Sequence, residues 1–178
     1  MTEIGRLGAS KPVRLLVQAG LIKYTDRVLD YGCGRGGDVR WLRAKEFPWA
    51  YGYDPWVEFG ASEMPEGPFD VVYLNYVVGT LSLLASRLDA IGHGFAEVKP
   101  EGLLVVTSRT CGAIRREARL RKWEKWGDGY LTRRRTFQKG HNQVDLRDLM
   151  SKLHGAKEIP TKLGSGGFSI SVVQKTWA

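Results

Sequence analysis

The chain has 178 residues, enough for one domain, and its 43% hydrophobic and 26% charged content fits a protein with a real core, not a disordered chain. Its 27 Lys+Arg against 19 Asp+Glu give a net charge of +8, which suits an anionic partner such as nucleic acid, or simply a basic solvated surface. Two cysteines exclude a disulfide framework, three scattered histidines give no metal-ligand spacing, and no apolar run approaches a membrane span, so the expectation is a cytoplasmic protein with no metal and no membrane contact.

In chain order, a helical lead-in over 1–26 comes first. Within it Lys11 to Ala19 reads as a helix, with Ser10 as cap, Pro12 in the first turn and Val13, Leu16 and Val17 on one face. Arg27 to Tyr31 is a short strand, Asp38 to Lys45 a helix and Ala50 to Tyr53 a second strand ending at Asp54-Pro55. The punctuated loop "WVEFGASEMPEGP" follows, then a buried strand at about Asp70 to Leu74. Leu81 to Val98 is mostly helical, with Gly92 and Gly94 weakening its middle, and Leu103 to Ser108 is a strand. The last third begins with a basic insertion over 113–142: a helix from Ala113 to Trp126, then an irregular or hairpin-like stretch. A helix from about Gln143 to Leu153 and an antiparallel strand pair close the chain. The alternation predicts a single α/β domain with a mostly parallel sheet, helices on both faces and a C-terminal antiparallel strand. In such sheets ligands bind beyond the carboxyl ends of the strands, where Asp30, Asp54, Asn75 and Arg109 all fall.

The stretch "VLDYGCGRGGDVRWL" decides the ligand class. Gly32, Gly34 and Gly37 fit G-x-G-x-x-G, and Asp54 lies 20 residues after Gly34, so a dinucleotide is one reading. Asp30 argues against it. A pyrophosphate would lie over this turn, and a carboxylate just before the turn would repel it at low dielectric. S-adenosylmethionine (SAM) carries an ammonium and a sulfonium and no phosphate, so the same acid becomes favourable. Asp54 would then accept both ribose hydroxyls. Asp38 can touch the ammonium or serve the helix dipole as an ordinary first-turn acid.

These residues resemble class I SAM-dependent methyltransferases, a Rossmann-like fold. Read with "IGRLGASKPVRLLVQAGLI", "YGYDP", "DVVYLNYVVGTL" and "WGDGYLTRRRTFQKGHNQVDLRDLM", the chain resembles the methyltransferases associated with DNA phosphorothioation systems, from about Ile4 to Met150. The resemblance implies SAM as cofactor, S-adenosylhomocysteine as product, and a cofactor site of Asp30, Tyr31, Gly32, Cys33, Gly34, Gly36, Asp38, Asp54, Pro55 and Asn75. It leaves little room for the usual third strand between Asp54 and Asp70, and Trp56, Met64 or Pro65 could supply the adenine contacts.

"LNYVV" lacks the D/N/S-P-P-Y/F pattern of exocyclic-amine enzymes, and Cys111 follows Thr110 where cytosine C5 enzymes have proline. Asn75 and Tyr76 are the candidate catalytic residues, or else strand end and core. Arg109, Arg133, Arg134, Phe137 and Lys139 are candidate substrate contacts, because arginines meet phosphates and aromatic rings stack on unpaired bases. A nucleic-acid acceptor, DNA or RNA, competes here with a small-molecule acceptor, with a SAM-binding accessory protein that turns nothing over, and with a dinucleotide-dependent oxidoreductase.

Overall fold

A computed structural model describes residues 8–164 and 167–176. Four strands run parallel: β1 (Val28–Tyr31), β2 (Ala50–Tyr53), β3 (Phe69–Asn75) and β4 (Val98–Arg109). Two more, β8 (Ala156–Glu158) and β9 (Phe168–Lys175), complete one six-stranded sheet of order β2-β1-β3-β4-β9-β8, with β9 antiparallel to both neighbours. Pairing between β3 and β4 shifts after Phe69↔Val98 and resumes at Val71↔Leu103, so the Pro-Glu-Gly stretch bulges out of an otherwise continuous strand.

Alternation along the strands feeds two cores. Leu29, Val72, Leu74, Leu104 and Val106 face α3 (Leu84–Ala96) and α5 (Gln143–Met150), meeting Ile91, Phe95, Leu146 and Met150. Val28, Val71, Tyr73 and Val105 face the other way, onto Val13 and Leu16 of α1 (Lys11–Gln18) and Val39 and Leu42 of α2 (Gly37–Ala44). Burying each such aliphatic side chain is worth about 1.5–3 kcal/mol, so the sheet is held from both faces.

Three elements differ from the sequence-based expectation. The helix expected from Leu81 begins at Leu84, because Val78–Thr80 forms a separate single turn of 3₁₀ helix. Gly94 does not weaken α3 so much as let it close on the sheet: a Cβ there would meet Leu74 Cδ1 at 2.8 Å. The basic helix α4 (Cys111–Arg121) stops five residues early, at left-handed Lys122 (φ 52°). The chain then folds a second, three-stranded antiparallel sheet of β5 (Glu124–Trp126), β6 (Gly129–Leu131) and β7 (Phe137–Gln138), here called the arm.

Between β2 and β3 only Val57–Phe59 is helical, as a 3₁₀ turn, so β2 is the edge of the sheet. The segment instead closes as a loop by Asp54 N donating to Ala61 O at 2.8 Å. Among the described residues no helix is long and apolar enough to cross a membrane.

Candidate active site

A cleft of about 620 Å³ lies across the carboxyl ends of β1 to β4 and is flanked by the arm. Its size is ordinary for a small-molecule site. Asp30, Asp54, Asn75 and Arg109, each from a different strand end, all line it, as the topology required.

The glycine turn builds one wall. Gly32, Gly34 and Gly36 have φ of 86°, 54° and 69°, conformations that suit glycine, and Gly32 has no room for a side chain: a Cβ there would sit 2.4 Å from Val77 Cγ2. Tyr53 O accepts from the backbone N–H of both Gly32 and Cys33, at 2.7 and 3.0 Å, which locks the turn to the end of β2. Asp54 ties the turn to the next loop: Oδ2 accepts from Gly34 N and Oδ1 from Trp56 N, both at 2.9 Å. Trp56 and Phe59 thereby reach the cleft from the loop that stands where another strand could have been.

A polar network fixes the floor. Ser10 N donates to Asp38 Oδ1 at 2.6 Å; Asn75 Nδ2 donates to Asp38 Oδ2 and Ser10 Oγ, each at 2.7 Å; Thr107 Oγ1 donates to Asn75 Oδ1 at 2.8 Å. Both ends of the Asn75 amide are therefore engaged, and it acts here by holding Asp38. Tyr76, next in the chain, takes the left-handed φ of 64°, rare for a bulky residue, and its N–H meets Thr107 O at 3.2 Å.

Three buried carboxylates share this half: Asp30, Asp38 and Asp54, at 3%, 9% and 9% exposure. Burial, and then Asp38, push the Asp30 carboxyl well above the usual carboxylate range, with Asp54 adding to it. The buried Tyr73 hydroxyl lies near enough to ease this but closes no hydrogen bond of ordinary geometry. Burial, then Asp30 and Asp54, push the Cys33 thiol up to about 12, which disfavours the thiolate that a nucleophile needs.

Glycines that admit backbone approach, with acids in place of donors for phosphate, fit a ligand with positive charge and ribose hydroxyls, as SAM has, and not a pyrophosphate. A family model described as a methyltransferase domain matches residues 6–153.

This chain belongs to the methyltransferase domain family.

No curated protein matches it. Among solved structures, a SAM-dependent methyltransferase from Clostridium acetobutylicum superposes with TM-score 0.64 at 9% identity, covering 94% of this chain and 90% of that one. The 1,6-didemethyltoxoflavin-N1-methyltransferase of Burkholderia thailandensis, solved with its acceptor and S-adenosylhomocysteine, gives 0.58 at 15%, over 93% and 76%. An amino pentose methyltransferase of Micromonospora echinaspora, bound to SAM, gives 0.58 at 16%, over 95% and 93%. The methyltransferase thus has their Rossmann-like fold: a mostly parallel sheet with an antiparallel strand and helices around it.

Of the residues expected at the cofactor, Asp30, Gly32, Cys33, Gly34, Asp38, Asp54, Pro55 and Asn75 line the cleft. Tyr31 and Gly36 stand back from it. The Tyr31 ring is buried against Tyr53, with centroids 5.2 Å apart, because its strand position faces the core. Gly36 is the residue that turns the chain into α2. Of the expected substrate residues, Arg109, Phe137 and Lys139 line the cleft, while Arg133 and Arg134 are exposed beyond it.

The arm forms the opposite wall with Arg135, Thr136, Phe137, Gln138 and Lys139. It is pinned by Arg87, which is 2% exposed. The Arg87 guanidinium reaches Asp128 through both nitrogens, at 2.6 and 2.9 Å, and also donates to Leu81 O and Ser82 O. Lys139 Nζ joins the same carboxylate at 2.7 Å, and these cations hold Asp128 well below the usual carboxylate range. Where the arm rejoins the body, His141 is 2% exposed and its Nδ1 lies 2.9 Å from Ser108 Oγ; burial, then Lys139 and Arg87, lower its pKa to about 4. Arg87, Asp128 and His141 carry no signal in the sequence beyond their type, because their partners lie tens of residues away.

Proposed function

We propose that this protein transfers a methyl group from SAM to a nucleic-acid or nucleotide-derived acceptor, in line with its resemblance to phosphorothioation-associated methyltransferases. The observation that carries the reading is the division of a single cleft: buried acids on the glycine-turn side, with only the exposed Arg40 among them, and bases on the arm side.

When bound, SAM supplies a methyl group activated on a sulfonium. Asp30 would hold the methionine ammonium, with Asp38 kept in place behind it by Ser10 and Asn75. Asp54, already fixed by two backbone N–H groups, keeps lone pairs for the ribose hydroxyls. Trp56 and Phe59 offer aromatic faces to the adenine. Tyr76, which follows β3 at the cleft, would position the acceptor, while Val77, Leu81 and Phe137 exclude water around it. Methyl transfer to an already nucleophilic atom needs little more than this alignment.

A small-molecule acceptor is the second reading. It is favoured by Arg109, Arg135 and Lys139, which line the cleft yet are each paired, with Glu117, Glu124 and Asp128. It is also favoured by the acceptor of the Burkholderia thailandensis enzyme.

The test has two stages. Calorimetric titration with SAM, repeated on Asp54→Ala, should give binding in the wild type and a large loss in the variant. Transfer of a labelled methyl group should then be assayed on DNA, RNA and nucleotides. Label on nucleic acid supports the first reading, label on a small molecule alone supports the second, and a wild type that binds no SAM sinks both.

A further inference from the structure

We propose that the turn over residues 132–136 is a phosphate-gripping device at the mouth of the cleft, which holds a phosphodiester of the strand being methylated. The inference rests on the methyltransferase reading above and names what its acceptor carries.

The turn is a rigid frame. Thr132 N donates to Thr136 O and Arg135 N to Thr132 O, both at 2.9 Å, and the two threonine hydroxyls meet at 2.7 Å. Thr132 Oγ1 also accepts from Arg134 N at 3.2 Å and Thr136 N at 3.3 Å. Arg135 takes a left-handed φ of 59° to complete it. Such a frame limits the entropy lost when a ligand is gripped.

Three consecutive arginines are mounted on this frame, and they divide into two kinds. Arg135 lines the cleft and is neutralised by Glu124 at 2.8 Å. Arg133 and Arg134 are exposed and have no ion pair among the described residues. They directly precede the cleft-lining Arg135 in the same turn, and their charge is uncommitted. A planar guanidinium pairs with phosphate through two parallel N–H donors, and an adjacent free pair suits one phosphate well.

The same division repeats on α4. Glu117 takes Arg109 at 2.5 Å and Arg121 at 2.8 Å, which brings this helix beside the cleft wall. Arg115, Arg116 and Arg119 on that helix are exposed and free of ion pairs among the described residues. A single carboxylate or phosphate would use one such place. Several free arginines on a helix beside the cleft fit the repeated charge of a strand. Within the arm, Trp126 is 52% exposed and offers a face on which an unpaired base can stack.

The test uses the full chain with saturating S-adenosylhomocysteine and a labelled single-stranded oligodeoxynucleotide, read by fluorescence anisotropy over a salt series. Each phosphate contact on a single strand contributes about 0.7 to the slope of log affinity against log salt. Arg133→Gln/Arg134→Gln should therefore flatten the slope by about 0.7, the loss of one phosphate. The melting temperature and S-adenosylhomocysteine affinity of the variant should stay those of the wild type. Lys157→Gln, on β8 at the far edge of the sheet, should leave the slope unchanged. Deoxynucleoside 5′-monophosphate and inorganic phosphate serve as competitors. A strand that binds and is displaced only weakly by either supports the proposal. A monophosphate that binds where the strand does not keeps the phosphate grip but assigns it to a free nucleotide, overturning the strand. An unchanged slope in the double variant, or an equal loss in Lys157→Gln, overturns the grip itself. Loss of S-adenosylhomocysteine binding with strand binding intact would instead break the methyltransferase reading and leave the turn standing.

Discussion

On the glycine-turn side of the cleft the buried ionisable groups are Asp30, Asp38 and Asp54, all nine-tenths or more buried, with the exposed Arg40 beside them; on the arm side the charged groups are Arg109, Arg135 and Lys139, whose side chains are 27%, 68% and 22% exposed. Asp38 and Asp54 meet backbone N–H groups, and Asp30 is buried beside them, so acidic groups are concentrated here. Each of these three bases has its own carboxylate, while Arg133, Arg134 and, on α4, Arg115, Arg116 and Arg119 are exposed and without ion pairs among the described residues. The difference separates two tasks. A small cationic ligand is best met by buried charge, where low dielectric strengthens each contact. A large anionic one is best met at the surface, where charge steers and the desolvation cost is small.

The comparison breaks most directly at Asp30. Asp30→Asn should weaken SAM binding on the order of a hundredfold, measured by calorimetry, since it removes a buried charge from a cation. It should also change the pH dependence of stability. The folded pKa of Asp30 is raised above its unfolded value, so the wild type has its full stability below the ordinary carboxylate pKa and loses some as pH rises through the folded one. In the asparagine variant that loss should vanish, and thermal melts from acid to mildly alkaline pH would reveal it. A variant that binds SAM normally would mean that Asp30 is a turn cap and nothing more.

On the arm side, Asp128→Ala should cost about 2–4 kcal/mol, because it strands the buried Arg87 guanidinium without its carboxylate. Urea titration measures the cost, and protease nicking at the arm would report its release. Since Asp128 is held far below the usual carboxylate range, the wild-type arm should stay docked as pH falls through 4, and its contribution to stability should be lost only in stronger acid. Gly32→Ala sharpens the comparison from the other wall: a strained φ and a clash with Val77 should cost about 1–3 kcal/mol and lower SAM affinity, with the arm still docked.

The smallest effect is expected at His141. Its folded pKa of about 4 lies below the unfolded value, so its stability contribution is complete above about pH 6.5 and is lost as pH falls toward 4. His141→Gln should flatten that limb of the stability curve, by at most a few kcal/mol in urea titrations at two pH values.

The same two sides explain what could be read from sequence. Asp30 and Asp54 are legible because their meaning is local: one precedes a glycine turn, the other ends the next strand. Strand ends also placed Asn75 and Arg109 correctly in one crevice. The arm was legible only as an irregular or hairpin-like basic stretch, since strands of three, three and two residues are too short for a periodic signal. Its anchor at Arg87 joins residues 41 apart, and the Asn75 link to Ser10 spans 65. Nothing in the local sequence of Asn75 says that its amide serves Asp38 and Thr107. Periodicity also ran past Lys122, because the left-handed turn that ends α4 sits on a residue with no such preference.

The buried Asp30 has a calorimetric consequence. Below its raised pKa this carboxyl carries a proton, and a cation seated beside it must expel that proton before the contact is made. The methyl donor and a hydrogen ion then trade places, and the solvent buffer takes up what the protein releases. Heats of SAM binding measured at a pH below that raised pKa, in two buffers of unlike ionisation enthalpy, should differ in proportion to those enthalpies, and in Asp30→Asn they should coincide.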